Sequence, residues 1–232
     1  LKSVETINLS HNGLNDQYID VIIELINLPN LVNINLSFNN FGKPAIMGKF
    51  VKFLQNCKKL ISLDLRYNPF CRDVHACMSL CNALKGCEKM ESFGMCDTSR
   101  DYGIKLLSKL HGLKHLYLED CTYKKKSFDY LARYLGGKNF YLEILSLKFC
   151  YLDFFYGAQL LAKGLLKNKS LIELNLYGTG LTDVGGKLII EAVTNHKALR
   201  KINFGLNHLA NYFCIAFGNV LNKNDTLNEV TN

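Results

Sequence analysis

The densest group of reactive side chains lies in one stretch, where Cys71, His75, Cys77, Cys81, Cys87 and Cys96 supply six atoms able to ligate a metal. Thiolate and imidazole at this density suit tetrahedral zinc, but a structural zinc site is built from paired Cys-x-x-Cys knuckles, and none is present. The thiols follow a longer period instead. Cys57 and Cys87 each stand three residues before a predicted strand and should stack in adjacent units as a reduced pair, with a disulfide as the oxidised alternative. Cys77 and Cys81 fall where a later unit has Ala158 and Ala162, small inward helix positions at which a thiol acts as a small hydrophobe. No metal and no cofactor are expected. Nucleophile, base and orienting acid do not recur at a recognisable spacing, and Gly178-x-Gly180 follows a strand and serves its turn, so no catalytic activity is expected. The run Lys124-Lys125-Lys126 falls in a connecting loop with little basic company, which gives no basis for specific nucleic-acid binding.

The elements that position these side chains come from a motif, apolar-x-x-apolar-x-apolar-x-x-(Asn, Cys or Thr)-x-apolar. Its copies open at positions 4, 31, 60, 90, 113, 142, 171 and 199, with steps of 27, 29, 30, 23, 29, 29 and 28 residues. A period of this length marks a repeat architecture. Within each copy the fourth and sixth positions alternate with polar residues, the period of a short strand with one face buried. The ninth position holds Asn12, Asn39, Asn68, Thr98, Cys121, Cys150, Thr179 and Asn207, small polar side chains that stack to satisfy the turn's backbone groups. The remainder of each unit reads as an amphipathic helix, as in 156–166 with Leu160, Leu161 and Leu165 on one side and in 184–193 with Leu188, Ile189 and Val193. Thr182-Asp183 and Ser127 are predicted N-caps, and Gly136-Gly137 a helix stop. The short step from Met90 to Leu113 leaves room only for a helix near 102–110 and predicts a local change of curvature. The register crosses residues 1–232 without a linker, giving one domain of about eight repeats, with a partial ninth opening at Leu227 and Val230, read as a fragment of a longer array.

Charge divides between the two faces. The chain carries +8, yet the outward strand positions hold eight acids (Glu5, Asp64, Glu91, Asp97, Glu119, Asp120, Glu143, Glu173) against five bases (Arg66, Lys114, Lys148, Arg200, Lys201), a net −3 that leaves +11 for helices and loops. A basic helix face suits an acidic protein or polymer, while lysines that merely solvate it are the bland alternative. The longest apolar run, near Val21 to Ile26, is far too short to span a bilayer. Cysteines that follow the repeat instead of pairing, and sequons at Asn8 and Asn35 where glycans would crowd the sheet, point to a reducing cytoplasm; Asn168 and Asn224 are the other two sequons.

The segment Leu171-x-x-Leu174-Asn175-Leu176 through Leu181-Thr182-Asp183-x-Gly185 resembles the ribonuclease-inhibitor-like class of leucine-rich repeats, and the resemblance covers essentially the whole chain. It implies an α/β solenoid of horseshoe form, with short parallel strands on the concave side, helices on the convex side and protein partners in the concavity. Class members include inhibitors, GTPase activators, ligand-sensing receptor arrays and cytoskeletal or ciliary scaffolds. The basic, tryptophan-free composition sets inhibitors aside, the lack of an acidic tail sets Ran activators aside, and the absence of a Gly-x-x-x-x-Gly-Lys loop in these residues sets receptor arrays aside. The expected function is a noncatalytic interaction scaffold in a cytoplasmic assembly, with a cytoskeletal or ciliary setting by class resemblance alone. The alternative is a regulator of an enzyme such as a GTPase. Phe38, Tyr67, Tyr117, Phe149 and Tyr177, with Arg66, Glu119, Lys148, Glu173 and Lys201 among them, are the expected protein-binding residues, since aromatics and arginine anchor interfaces. For Phe38 and Phe149, packing on neighbouring loops is the competing reading.

Overall fold

Apolar residues at two inward positions of the second to eighth copies bury completely, and this drives the strands. Ile34 and Leu36, Leu63 and Leu65, and Leu174 and Leu176 are all at most 2% exposed. A computed structural model describes residues 2–72, 74–96, 110, 112–137, 141–152 and 156–231, so Asp97, the ladder residue Thr98 and the short helix expected over 102–110 with its curvature change lie outside the described residues. The side chains of Cys71 and Cys81 also lie outside them. The chain forms two compact units, Leu1–Tyr117 and Leu118–Asn232.

In the first unit, strands β1 (Thr6–Asn8), β2 (Asn33–Asn35), β3 (Ser62–Asp64) and β4 (Ser92–Cys96) alternate with helices α1 (Ile19–Ile26), α2 (Pro44–Asn56) and α3 (Val74–Leu84). Strand β5 (His115–Glu119) spans the division. In the second unit, α4 (Lys125–Gly136), β6 (Ile144–Ser146), α5 (Ala158–Leu165), β7 (Glu173–Asn175), α6 (Asp183–Ala192), β8 (Lys201–Asn203), α7 (Asn211–Leu221) and β9 (Glu229–Thr231) follow. Pairing is parallel and in register with the motif: Ile7, Ile34, Leu63 and Phe93 align in one unit, and Leu145, Leu174, Ile202 and Val230 in the other. Parallel neighbours require a crossover, and the helices supply it; α1 packs on α2 and α2 on α3 in the first unit, and α4 on α5, α5 on α6 and α6 on α7 in the second. At Gly164 of α5 a Cβ would sit 3.0 Å from the Ala132 Cα of α4, so this helix pair is as close as it is because both residues are small.

The turn ladder is built as its residue types require. Asn68 Nδ2 donates to Leu36 O (2.8 Å) and Leu65 O (3.2 Å), while its Oδ1 accepts from Phe41 N. Asn39 and Asn207 make the same bonds in their repeats. Thr179 Oγ donates to Leu176 O and Cys150 Sγ to Leu118 O, so hydroxyl and thiol replace the amide as donors. The residue preceding the ladder has a left-handed backbone: φ is 59° at His11, 54° at Phe38, 56° at Tyr67, 59° at Phe149 and 55° at Leu206, with Gly178 at 65°. Side chains pay about 1 kcal/mol there relative to glycine.

Helix starts differ from the sequence expectation in one place. Helix α4 begins at Lys125 with Lys124 as N-cap, and Ser127 is buried inside it, so Ser127 is not the cap. Lys125 and Lys126 therefore stand in a helix's first turn instead of a loop, a disfavoured place for cations that the Lys125 ammonium, 4.4 Å from the Tyr156 ring centre, offsets. Thr182 occupies the N-cap of α6, but its side chain makes no cap bond. Asp183 reaches forward instead, accepting from Ala210 N (2.5 Å) and Phe213 N (3.2 Å) at the start of α7, as Asp16 does from Gly42 N (3.0 Å) and Lys43 N (3.1 Å) before α2. Asp183 thus caps the helix of the following repeat, and Asp16 holds the backbone that leads into α2. Asp183→Ala should lower the stability of the second unit by about 1–2 kcal/mol, read from its urea midpoint, whereas Thr182→Ala should change it by less than about 0.5 kcal/mol. The stop at Gly137 is as expected, with its N–H bonded to Tyr134 O.

Candidate protein-binding surface

Outward strand residues form two clusters, one in each unit. In the first, the Arg66 guanidinium meets Asp64 through a fork, Nε to Oδ1 at 3.0 Å and a terminal nitrogen to Oδ2 at 2.8 Å, with side chains only 21% and 16% exposed. The same guanidinium lies 4.5 Å from the centre of the Tyr117 ring. Gly94 of β4 makes the arrangement possible, because a Cβ there would lie 2.8 Å from Asp64 Oδ1 and 3.2 Å from Arg66. Along the turn of the same unit the rings of His11, Phe38 and Tyr67 stack as a column, with centroids 4.1 Å apart at each step and interplanar angles of 15° and 19°. Phe38 is 41% exposed in this column.

The second unit repeats the theme with different residues. Phe149 and Tyr177 meet edge to face at 5.5 Å, and Lys148 Nζ stands 5.2 Å and 5.3 Å from their ring centres. Two glycines again provide the space, Gly178 beneath Phe149 and Gly205 beneath Tyr177. Lys201 pairs with Glu229 at 2.7 Å, and that hydrogen bond raises the Lys201 pKa above its ordinary value. Glu173 is half-exposed on the neighbouring strand.

One expected residue is placed differently. Glu119, counted as outward-facing, is 5% exposed and accepts a hydrogen bond of 2.8 Å from Ser146 Oγ, so its carboxylate is engaged within the sheet and is not presented to solvent. Asp64, His11, Gly94, Gly178 and Gly205 belong to the clusters and were not in the expected set. His11, Phe38, Tyr67, Phe149, Gly178 and Leu206 all directly precede a ladder residue, a column visible in the sequence once the ladder is aligned. Asn8, Asn35, Asn175 and Asn203 close the strand ends, each accepting from the backbone N–H two residues on, as repeat consensus requires.

Among the described cysteines Cys77, Cys96, Cys121 and Cys150 are buried and Cys214 is exposed. Cys57 and Cys87 are buried, and Cys87 Sγ points to Cys57 O at 3.5 Å. Burial pushes the Cys57 pKa up and that of Cys87 to about 11. Among the described residues no group of three or more His, Cys, Asp or Glu is placed to hold a metal, and no helix is long and apolar enough to cross a membrane.

No protein-family model matches the sequence. The chain is 34% identical over 159 residues to the mouse (Mus musculus) "NACHT, LRR and PYD domains-containing protein 9C"; the match covers 66% of this chain and 15% of that protein's length. Among solved structures it is similar to a chain of the yeast Rad7 and Elc1 complex, with TM-score 0.55 and 17% identity over 97% of this chain and 68% of the other. It is also similar to internalin C2 of Listeria monocytogenes, with TM-score 0.54 and 17% identity over 98% and 80% of the two chains.

Proposed function

The chain is a leucine-rich repeat protein, and from that premise we propose that it acts as a noncatalytic protein-interaction scaffold whose outward sheet face receives its partner. The observation that carries this reading is the Arg66 cluster. A guanidinium forked by Asp64 and laid on Tyr117 is fixed before any partner arrives, so binding freezes few rotors. Lys148, Phe149 and Tyr177 offer a second anchor of the same chemistry, cation and aromatic together, in their own unit. Glu173 and Lys201 supply polar rim groups beside it, Phe38 and Tyr67 apolar area beside the first, and Glu119 orders the sheet behind the face. The similarity to a chain of the yeast Rad7 and Elc1 complex supports protein partners for this fold.

The mouse relative supports a further step. It is named for NACHT and PYD domains beside its repeats, and the chain spans 15% of its length, so the missing Gly-x-x-x-x-Gly-Lys loop does not weigh against a receptor-type array. The relatives lend no support to a cytoskeletal or ciliary setting, and a cytoplasmic one is kept on the buried, unreactive thiols. The test is partner capture from native extract with Arg66→Ala and Tyr117→Ala proteins. Each should weaken retention by about 30-fold, the loss of an anchor worth about 2 kcal/mol, while the thermal transition holds. Unaltered capture by both folded variants would overturn the assignment of this face.

A further inference from the structure

The helix layer of the first unit contains a groove of about 570 Å3 that the sheet-face reading does not use. It lies where α1 and α2 and the loops after them converge. Its floor is Ile23, Leu28 and Phe53, all half-buried, and Lys49, Lys52 and Lys58 stand exposed around it. Lys59 closes one end, spending one of its three donors on Leu28 O at 3.1 Å. Among the described residues no carboxylate lines the groove. The cause is visible in the sequence: from Lys43 to Leu63 there are five lysines and no Asp or Glu. Asp20, from α1, pairs with Lys49 at 2.7 Å, and this pair is exposed on both sides.

Charge of one sign is not a by-product of the repeat. The equivalent groove in the second unit, between α5 and α6, has a similar volume of about 560 Å3 and an apolar floor of Leu160, Leu166 and Leu188, but carries Lys163 and Glu191 together. Stacked helices therefore generate an apolar groove, while the excess of lysine marks the first of these two grooves and comes from α2 and its following loop. Lysines whose ammonium groups ring an apolar floor attract a ligand that is both anionic and greasy, and reject a cationic one.

We propose that this groove docks an acidic segment of a partner protein, with one bulky apolar side chain seated on Ile23, Leu28 and Phe53 and flanking carboxylates paired with Lys52 and Lys58. The volume suits one such side chain with its neighbours, well inside the range of small-ligand pockets. The surface is separate from the Arg66 and Tyr117 cluster, so the two can be tested independently.

The experiment is fluorescence anisotropy on the whole chain with a labelled pentapeptide of two glutamates, one phenylalanine and two glutamates, beside a control peptide with serine for phenylalanine. Saturable binding of the phenylalanine peptide is expected, weaker for the serine control and weaker as salt rises past the screening length. The Lys52→Glu, Lys58→Glu double variant should raise Kd at least about tenfold and Ile23→Ala about threefold, with an unchanged thermal transition, while Lys223→Glu on the second unit should leave it unchanged. No binding up to millimolar peptide, equal affinity for both peptides, or equal loss in Lys223→Glu would overturn the proposal. So would binding to phosphatidylserine vesicles that needs Lys52 and Lys58 when the peptide does not bind, which would assign the groove to a lipid surface.

Discussion

Asn68→Ala is expected to destabilise the first unit by about 3–5 kcal/mol, among the largest effects of any polar substitution in the chain. Asn68 is 2% exposed, and its amide joins four backbone groups: Leu36 O, Leu65 O, Arg66 O and Phe41 N. Alanine takes the side-chain partner from Phe41 N and Leu65 O, while Leu36 O keeps the bond from Asn39 Nδ2, and each buried, unpaired group costs about 1–3 kcal/mol. Asn12 provides the contrast. It is exposed and donates only to Ser10 O, so Asn12→Ala should cost less than about 0.5 kcal/mol. Repeat arrays do not always unfold in one step, so hydrogen exchange at Phe41 and Leu65 is the appropriate readout beside the urea midpoint. Asn68→Cys should recover part of the loss, because Cys150 shows that a thiol can donate to the equivalent carbonyl. Equal stability of Asn68→Ala and Asn12→Ala would mean that stacking alone holds the turn.

That contrast also shows how far the sequence can be read. Strand positions such as Leu63 and Leu174 are legible because burial of a period-two face depends only on local spacing, and the ladder is legible because its residue types are confined to those with a small polar donor. The Arg66 site is only half legible. Arg66 and Tyr117 can be placed on the outward face by counting, but their meeting depends on Gly94, on the strand between them, lacking a Cβ. Glu119 differs from expectation for a similar reason: its carboxylate is engaged by Ser146, 27 residues on, a partner that its own position in the strand does not reveal. Asp16 and Asp183 look like residues of their own repeat's turn, yet they bond the backbone at the opening of the next repeat's helix, a contact that exists only after two repeats have stacked. Features carried by one repeat are written locally; features made between repeats need the stacked register, which the motif supplies only approximately.

A second ladder, unremarked in the motif, leads to the other large expectation. Three residues before the strand-opening leucines Leu171, Leu199 and Leu227 stand Asn168, His196 and Asn224, all buried. Asn168 and Asn224 each accept two backbone N–H bonds on Oδ1 and donate from Nδ2 to a carbonyl of the preceding repeat, which also engages the nitrogen a sequon glycan would need. His196 does the same with a ring: Nδ1 accepts from Leu199 N at 3.0 Å and Ala198 N at 3.3 Å, which leaves the proton on Nε2, facing Asn168 Oδ1 at 3.3 Å. A second proton would have to sit on Nδ1, against two N–H groups, and burial already lowers the pKa of this histidine below its usual 6.5. The unfolded chain, titrating near that ordinary value, therefore takes up a proton at higher pH than the native protein does. Stability from this site is complete above about pH 6.5 and is lost as pH falls toward the lower native pKa. His196→Asn, the residue of the flanking repeats, should keep stability at pH 7 and remove this part of the acid sensitivity. His196→Leu should cost about 2–4 kcal/mol at pH 7 by stranding the two N–H groups of Ala198 and Leu199. Denaturation of the three proteins at pH 7.5 and pH 5.5 decides the matter. If His196→Asn loses as much stability on acidification as the native protein, the titrating group lies elsewhere and the ring is only a spacer in the ladder.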